Sequence, residues 1–178
     1  MIVAVTGHRP LKCGGFGQRA TDRLRRFAIY AIGELHMQSP IERGISGMAI
    51  GFDQACALAF SFYGIPWTAA IPCLGQDSVW PEEARKEYRR VLRLADRIEQ
   101  VSAGVYNPKS MLVRNCWMVD QLGKGNSDTL LALWDGSPTG GTKHCVEYAE
   151  STGRNVMNVW KKWTEFQEGE RRAADSSQ

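Results

Sequence analysis

Short apolar runs alternate with longer amphipathic stretches along the whole chain. Met1–Val5, Ile41–Ser46, Ile65–Ile71, Arg97–Val101, Asp128–Trp134 and Asn155–Trp160 read as six strands, and Asp128–Trp134 carries the strongest signal of a buried one. Between them the apolar positions repeat at helical spacing. From Gln18 these are Leu24, Phe27, Ala28, Ala31 and Leu35, and a second helix covers Phe52–Tyr63 with Gly64 as its stop. A third opens at Pro81-Glu82-Glu83, with proline and two acids at the positive end of the dipole, and runs to about Leu94. A fourth runs from Pro108 to about Leu122, and a fifth from Thr142 to Thr152, closed by Gly153. Lys12–Gly17 and Ser102–Asn107 read as loops, and the polar residues beyond about Trp163 as a frayed tail.

Six strands alternating with helices predict an α/β fold with a mostly parallel sheet and helices on both faces. The expected organisation is one domain over residues 1–163 and a polar tail over 164–178. Such sheets bind ligands outside the carboxyl ends of their strands, where the strand order reverses. The loops after strands one, two, three and five therefore matter most.

Composition sharpens this in one respect. Glycine contributes 18 of 178 residues, above the usual share of roughly 7%. Several of these glycines fall in the loops of interest: Thr6-Gly7-His8-Arg9-Pro10, Ser46-Gly47-Met48-Ala49-Ile50-Gly51-Phe52-Asp53, and Asp135-Gly136-Ser137-Pro138-Thr139-Gly140-Gly141-Thr142. The last two open helices, whose first N–H groups and positive dipole end suit an anion. Thr142 is a candidate helix cap whose hydroxyl can also donate to a phosphate. Together the three loops point to a phosphate-bearing ligand. No GxxxxGK[ST] and no GxGxxG after the first strand occur, so neither a Walker-type nucleotidase nor ordinary dinucleotide binding is expected.

Charge adds little: 22 Lys+Arg against 19 Asp+Glu leave a net charge of +3. Arg19, Arg23, Arg25 and Arg26 read as a solvated helix face, or, with Lys86, Arg89, Arg90 and Arg93, as a basic track for single-stranded nucleic acid. Five scattered cysteines lack zinc-site spacing and read as buried apolar residues in a reducing compartment, so no metal and no cofactor are expected. No signal peptide and no stretch approaching a membrane helix is seen, so a cytoplasmic location is expected. Among individual side chains, His8 and Arg9 can bind phosphate or a ribose hydroxyl, and Asp135 can accept from ribose. Trp80 and Trp134 can stack a base, and Lys143 and His144 can contact the ligand. His36 reads as structural.

Residues Ser46–Asp53 resemble the SGxAxGxD signature of the DNA-processing protein family. Met111-Leu112-Val113-Arg114-Asn115-Cys116-Trp117-Met118 resembles the MxxRxxxM element of the Lonely guy phosphoribohydrolases, and Asp135–Thr142 is similar to their PGGxGT loop. With Thr6–Pro10, the set resembles the YpsA-like branch of the SLOG superfamily over about residues 1–160. That resemblance implies a Rossmann-like fold that binds nucleotides or nucleotide-derived ligands such as ADP-ribose compounds, and self-association into a homo-oligomer. It makes Arg114 a catalytic or phosphate-contacting arginine, and Gly47, Gly51, Gly140, Gly141 and Thr142 a phosphate cradle. Ser46, Met48, Gly7 and Lys143 join the candidate ligand-binding set. The hydrolases carry a glutamate two residues past their threonine. Here that position is His144, with Glu147 three further on, which argues against cleavage of an N-glycosidic bond unless Asp53 supplies the carboxylate. The expected function is thus binding of a nucleotide-derived small molecule as a sensor, carrier or sequestering protein. The alternatives are a nucleoside 5′-monophosphate phosphoribohydrolase and a single-stranded DNA binder.

Overall fold

A computed structural model describes residues 1–104, 107–125 and 127–175. Two residues of the expected loop Ser102–Asn107, and the last three of the expected tail, lie outside them. The strands are β1 (Ile2–Gly7), β2 (Arg43–Ser46), β3 (Trp67–Ile71), β4 (Arg97–Gln100), β5 (Thr129–Leu133) and β6 (Asn155–Asn158). The helices are α1 (Gln18–Gln38), α2 (Phe52–Phe62), α3 (Glu82–Leu92), α4 (Pro108–Asp120), α5 (Gly141–Ser151) and α6 (Trp160–Asp175). All neighbouring strands are parallel, in the order β4-β3-β2-β1-β5-β6. The chain is therefore a Rossmann-like α/β domain, and the strand order reverses between β1 and β5.

Alternation along the strands builds the two faces. Val3, Val5, Trp67, Ala69, Ile71, Leu131 and Leu133 point into a core with α1, α2, α3 and α6. Ala4, Ile45, Ala70, Leu130 and Ala132 point the other way, against α4 and α5. Helix α1 buries Ala20, Leu24, Phe27, Ala28, Ala31, Ile32 and Leu35 on one face, the 3.6-residue stripe expected of a helix lying on a sheet. Helix α4 starts where Asn107 caps it, accepting from Ser110 N at 3.0 Å, with Pro108 in the first turn.

Two expectations change. Lys12–Gly17 is not wholly loop, because Pro10–Cys13 forms a turn of 3-10 helix. The residues past Trp163 are not a frayed tail; they continue α6 to Asp175. Trp163 is fully buried, packed on Phe27 at 5.1 Å, and Phe166 meets the same ring at 5.5 Å. Glu170 takes Arg23 and Arg26 of α1, each at 2.7 Å. Two aromatics three residues apart anchor a segment whose polar remainder masks them. Among the described residues no helix is long and apolar enough to cross a membrane.

Candidate functional site

The β1 and β5 loops meet at the reversal of strand order. His8 N donates to Leu133 O at 3.1 Å, prolonging the ladder by one residue. Its ring Nε2 accepts from Asp135 N at 2.9 Å and lies 2.7 Å from Asp135 Oδ1. Burial holds the His8 pKa below its usual value although Asp135 pulls the other way, which suits a neutral ring accepting the Asp135 N–H. Trp160 packs edge-on against the ring at 5.4 Å. Lys12 Nζ donates to Asp135 Oδ2 at 2.6 Å and also meets the Ser137 hydroxyl. Burial pushes the Asp135 carboxyl up, but bonds from Lys12 and Ser137 outweigh it and hold the group well below the carboxylate range. His8 and Asp135 thus join two strand ends, and the carboxylate is engaged by protein groups.

The β2–α2 turn is closed by protein groups. Ser46 Oγ donates to Asp53 O at 2.8 Å and accepts from Met48 N at 3.2 Å. Met48 has φ of 59° with its side chain fully buried, an uncommon conformation for a residue with a Cβ. Gly51, at φ 112°, leads into α2, and a Cβ there would stand 2.6 Å from His8 O. Asp53 occupies the first turn of α2 and accepts from Ala49 N at 3.4 Å. Burial pushes its carboxyl up to about 6 against the pull of Arg114 and of the Ala49 and Gly7 N–H groups. The positive end of α2 therefore already faces a carboxylate.

Arg114, on α4, is 5% exposed and ties this turn to its neighbours. Nη1 donates to Gly47 O and to Ala70 O, the latter at 3.3 Å, and Nε donates to Asn115 Oδ1 at 3.0 Å. Asn115 Nδ2 in turn donates to Gly141 O at 3.1 Å, so α4 braces both glycine-bearing turns. A Cβ on Gly47 would overlap the Arg114 guanidinium. Most of the guanidinium serves protein acceptors, and among the described residues Nη2 is the nitrogen left over.

The β5–α5 turn is open. Its helix is preceded by Gly140 at φ 114°, has no side-chain cap and carries no acid in its first turn. Thr142 lies inside that turn and does not cap it. The first helical bond runs from His144 N to Gly140 O at 3.1 Å, so the preceding N–H groups have no intrahelical acceptor. They border a cavity of about 420 Å³ lined by the β1 loop, Ala49, Asp53, Gln76, Trp80, Met111, Arg114, Asn115 and Thr139–Thr142.

The cavity gathers Gly7, His8, Arg9, Asp53, Arg114, Gly140, Gly141 and Thr142 from the sequence-predicted set. Ser46, Gly47 and Met48 build the turn behind it. Gly51 borders a neighbouring groove, and Lys143 pairs with Glu147 at 2.9 Å. Asp135 is absent from the wall, as are His144 and Trp134, whose indole donates to Ser137 O at 3.2 Å. His36 is structural: its Nδ1 accepts from Ile41 N at 3.0 Å. Sequence reasoning missed Gln76, Asn115, Lys12 and Thr6. Asn115 carried a signal as the neighbour of the motif arginine, and Thr6 as the first residue of the Thr6–Pro10 loop.

A parallel sheet with its cavity at the strand-order reversal, under two glycine-bearing turns, defines the class: a Rossmann-like single-domain protein. The chain is 31% identical over 146 residues to the SPbeta prophage-derived protein YoqJ of Bacillus subtilis (strain 168), covering 73% of this chain and 82% of that protein. It is 24% identical over 159 residues to a UPF0398 protein of Bacillus thuringiensis (strain Al Hakam), covering 85% and 84%. No family model matches the chain. A solved structure, DNA processing protein A from Streptococcus pneumoniae, aligns at a TM-score of 0.45 and 16% identity, over 89% of this chain and 59% of the other. The chain belongs to the YpsA-like branch of the SLOG superfamily.

Proposed function

We propose that the protein binds a phosphate-bearing, nucleotide-derived small molecule, with its phosphate at the N-terminus of α5 and its remainder in the 420 Å³ cavity. The observation that carries this reading is the uncapped, acid-free first turn of α5 opening on that cavity. Arg9 supports it: the side chain is exposed at the cavity wall and forms no ion pair among the described residues. The predicted basic track supports nucleic acid less well. Arg23, Arg25, Arg26, Lys86, Arg89 and Arg90 each have a carboxylate within ion-pair distance. Calorimetric titration with ADP-ribose, cyclic ADP-ribose isomers, NAD and nucleoside monophosphates tests the reading. Saturable binding of at least one is expected, and no binding by any overturns it.

One observation favours hydrolysis as a second reading. Asp53 is the one carboxylate among the described cavity-lining residues, with a pKa of about 6 in the range of a working acid or base. Glu147 does not line the cavity and is paired with Lys143. Hydrolysis predicts release of free base from a nucleoside monophosphate, lost in Asp53→Asn. Binding without release is the outcome expected here.

A further inference from the structure

Helix α4 turns polar residues inward and apolar ones outward. Its buried side carries Ser110, Arg114 and Asn115 beside Met118 and Val119, and Arg114 and Asn115 are spent on backbone carbonyls. Its outer side carries Leu112, Val113, Cys116 and Trp117. Leu112 is 38% exposed and Val113 51%, while Cys116 and Trp117 are half-buried. These four are helical neighbours, three or four residues apart, so they form one patch rather than scattered contacts with water. The outer side of α3 is of the ordinary kind: Glu82, Glu83, Lys86 and Arg90 are laced by ion pairs along the helix.

Charges close the α4 patch only at its ends. Lys109, Val113, Cys116 and Asp120 follow one another in steps of four, three and four residues, the spacing that keeps a row on one helix face. Lys109 is exposed and forms no ion pair among the described residues. Asp120 holds Arg154 at 3.4 Å and accepts from Tyr148 at 3.1 Å, yet its side chain is still 45% exposed. The row therefore reads cation, apolar, apolar, anion, centred between Arg114 and Asn115. Turned end for end it complements itself.

We infer that the outer face of α4 docks a second copy of this chain, whose α4 lies antiparallel across a two-fold axis passing between Arg114 and Asn115. Such an axis makes every contact twice. Lys109 of each copy meets the partner's Asp120, Val113 packs on the partner's Cys116, and Leu112 and Trp117 flank the seam. A partner of other sequence would need to match this row, whereas a second copy matches it by symmetry. The inference does not rest on the nucleotide reading, because this face points away from the residues of α4 that line the cavity. One stripe of a 13-residue helix is a small interface, so association is expected to depend on concentration.

Sedimentation equilibrium of the full chain over a dilution series tests this. A monomer–dimer equilibrium is expected. Val113→Asp should weaken it at least tenfold while thermal melting stays unchanged, since that side chain faces outward. Lys109→Glu and Asp120→Lys should each weaken it roughly tenfold, because two exposed ion pairs per dimer become like-charge pairs. Mixing those two variants should restore the original affinity, since every pair in the mixed dimer is again opposite in charge. A chain monomeric at every concentration overturns the proposal and leaves the patch to a partner of other chemistry. A dimer that survives Val113→Asp overturns it too, by placing the contact on another face. If the mixed variants associate no better than each alone, the antiparallel two-fold arrangement is wrong.

Discussion

Two glycine-bearing turns end neighbouring parts of the same sheet edge, and each opens a helix. The β2–α2 turn is filled by its own protein: Asp53 sits at the helix mouth, Ser46 ties the turn together, and Arg114 holds the Gly47 carbonyl. The β5–α5 turn has no cap and no acid, and Asn115 holds only its backbone at Gly141. Glycine spacing alone does not separate these cases. What separates them is whether a carboxylate already meets the helix N-terminus. The closed turn gives rigidity to the cavity wall, and the open one leaves N–H groups for a ligand.

Substitutions can break that contrast from either side. The largest effect is expected from Arg114→Ala, which leaves Asp53 buried without its nearby cation. A loss of about 3–5 kcal/mol in urea unfolding follows, and a loss below about 1 kcal/mol contradicts the bracing role. The next involves Asp53 and pH. Its folded pKa of about 6 lies above the unfolded value near 3.9. The group therefore stabilises the fold below about pH 4, and that stability is lost as pH rises through about 6. Relative to Asp53→Asn, the unsubstituted protein should lose up to roughly 2–3 kcal/mol between pH 4 and 7. A difference that does not vary with pH in that window rules this out. Gly47→Ala drives a methyl into the Arg114 guanidinium and should cost about 1–3 kcal/mol. Full stability in that variant would show that Arg114 can move aside. The smallest change in stability comes from Thr142→Asp, which gives α5 the acid that α2 has. Melting should show a gain of about 0.5 kcal/mol, while affinity for a nucleoside monophosphate falls at least tenfold.

The sequence carried the architecture because its four inner strands, β1, β2, β3 and β5, bury both faces and its helices bury one. The two periods differ, so the six strands fall within a few residues of their expected positions. The helix α6 escaped because Trp163 and Phe166 sit among charged residues, and only the Phe27 surface explains them. The site was legible at its glycines and at Arg114. It was not legible where function depends on partners distant in sequence. His8 and Asp135 are 127 residues apart and satisfy one another, which no loop pattern reveals. Gln76 is placed by a single bond to Gly47 O. Asp53 and Thr142 occupy equivalent places in similar turns and both border the cavity, yet Asp53 supplies a carboxylate at its own helix mouth and Thr142 does not.

Backbone amide chemical shifts, followed while a nucleoside monophosphate is added to labelled protein, test the central claim most directly. The account predicts saturable shifts that are largest at Gly141 and Thr142, with Phe52 and Asp53 changing little. Largest shifts at Phe52 and Asp53, or no saturable shift at Gly141 and Thr142, would contradict it.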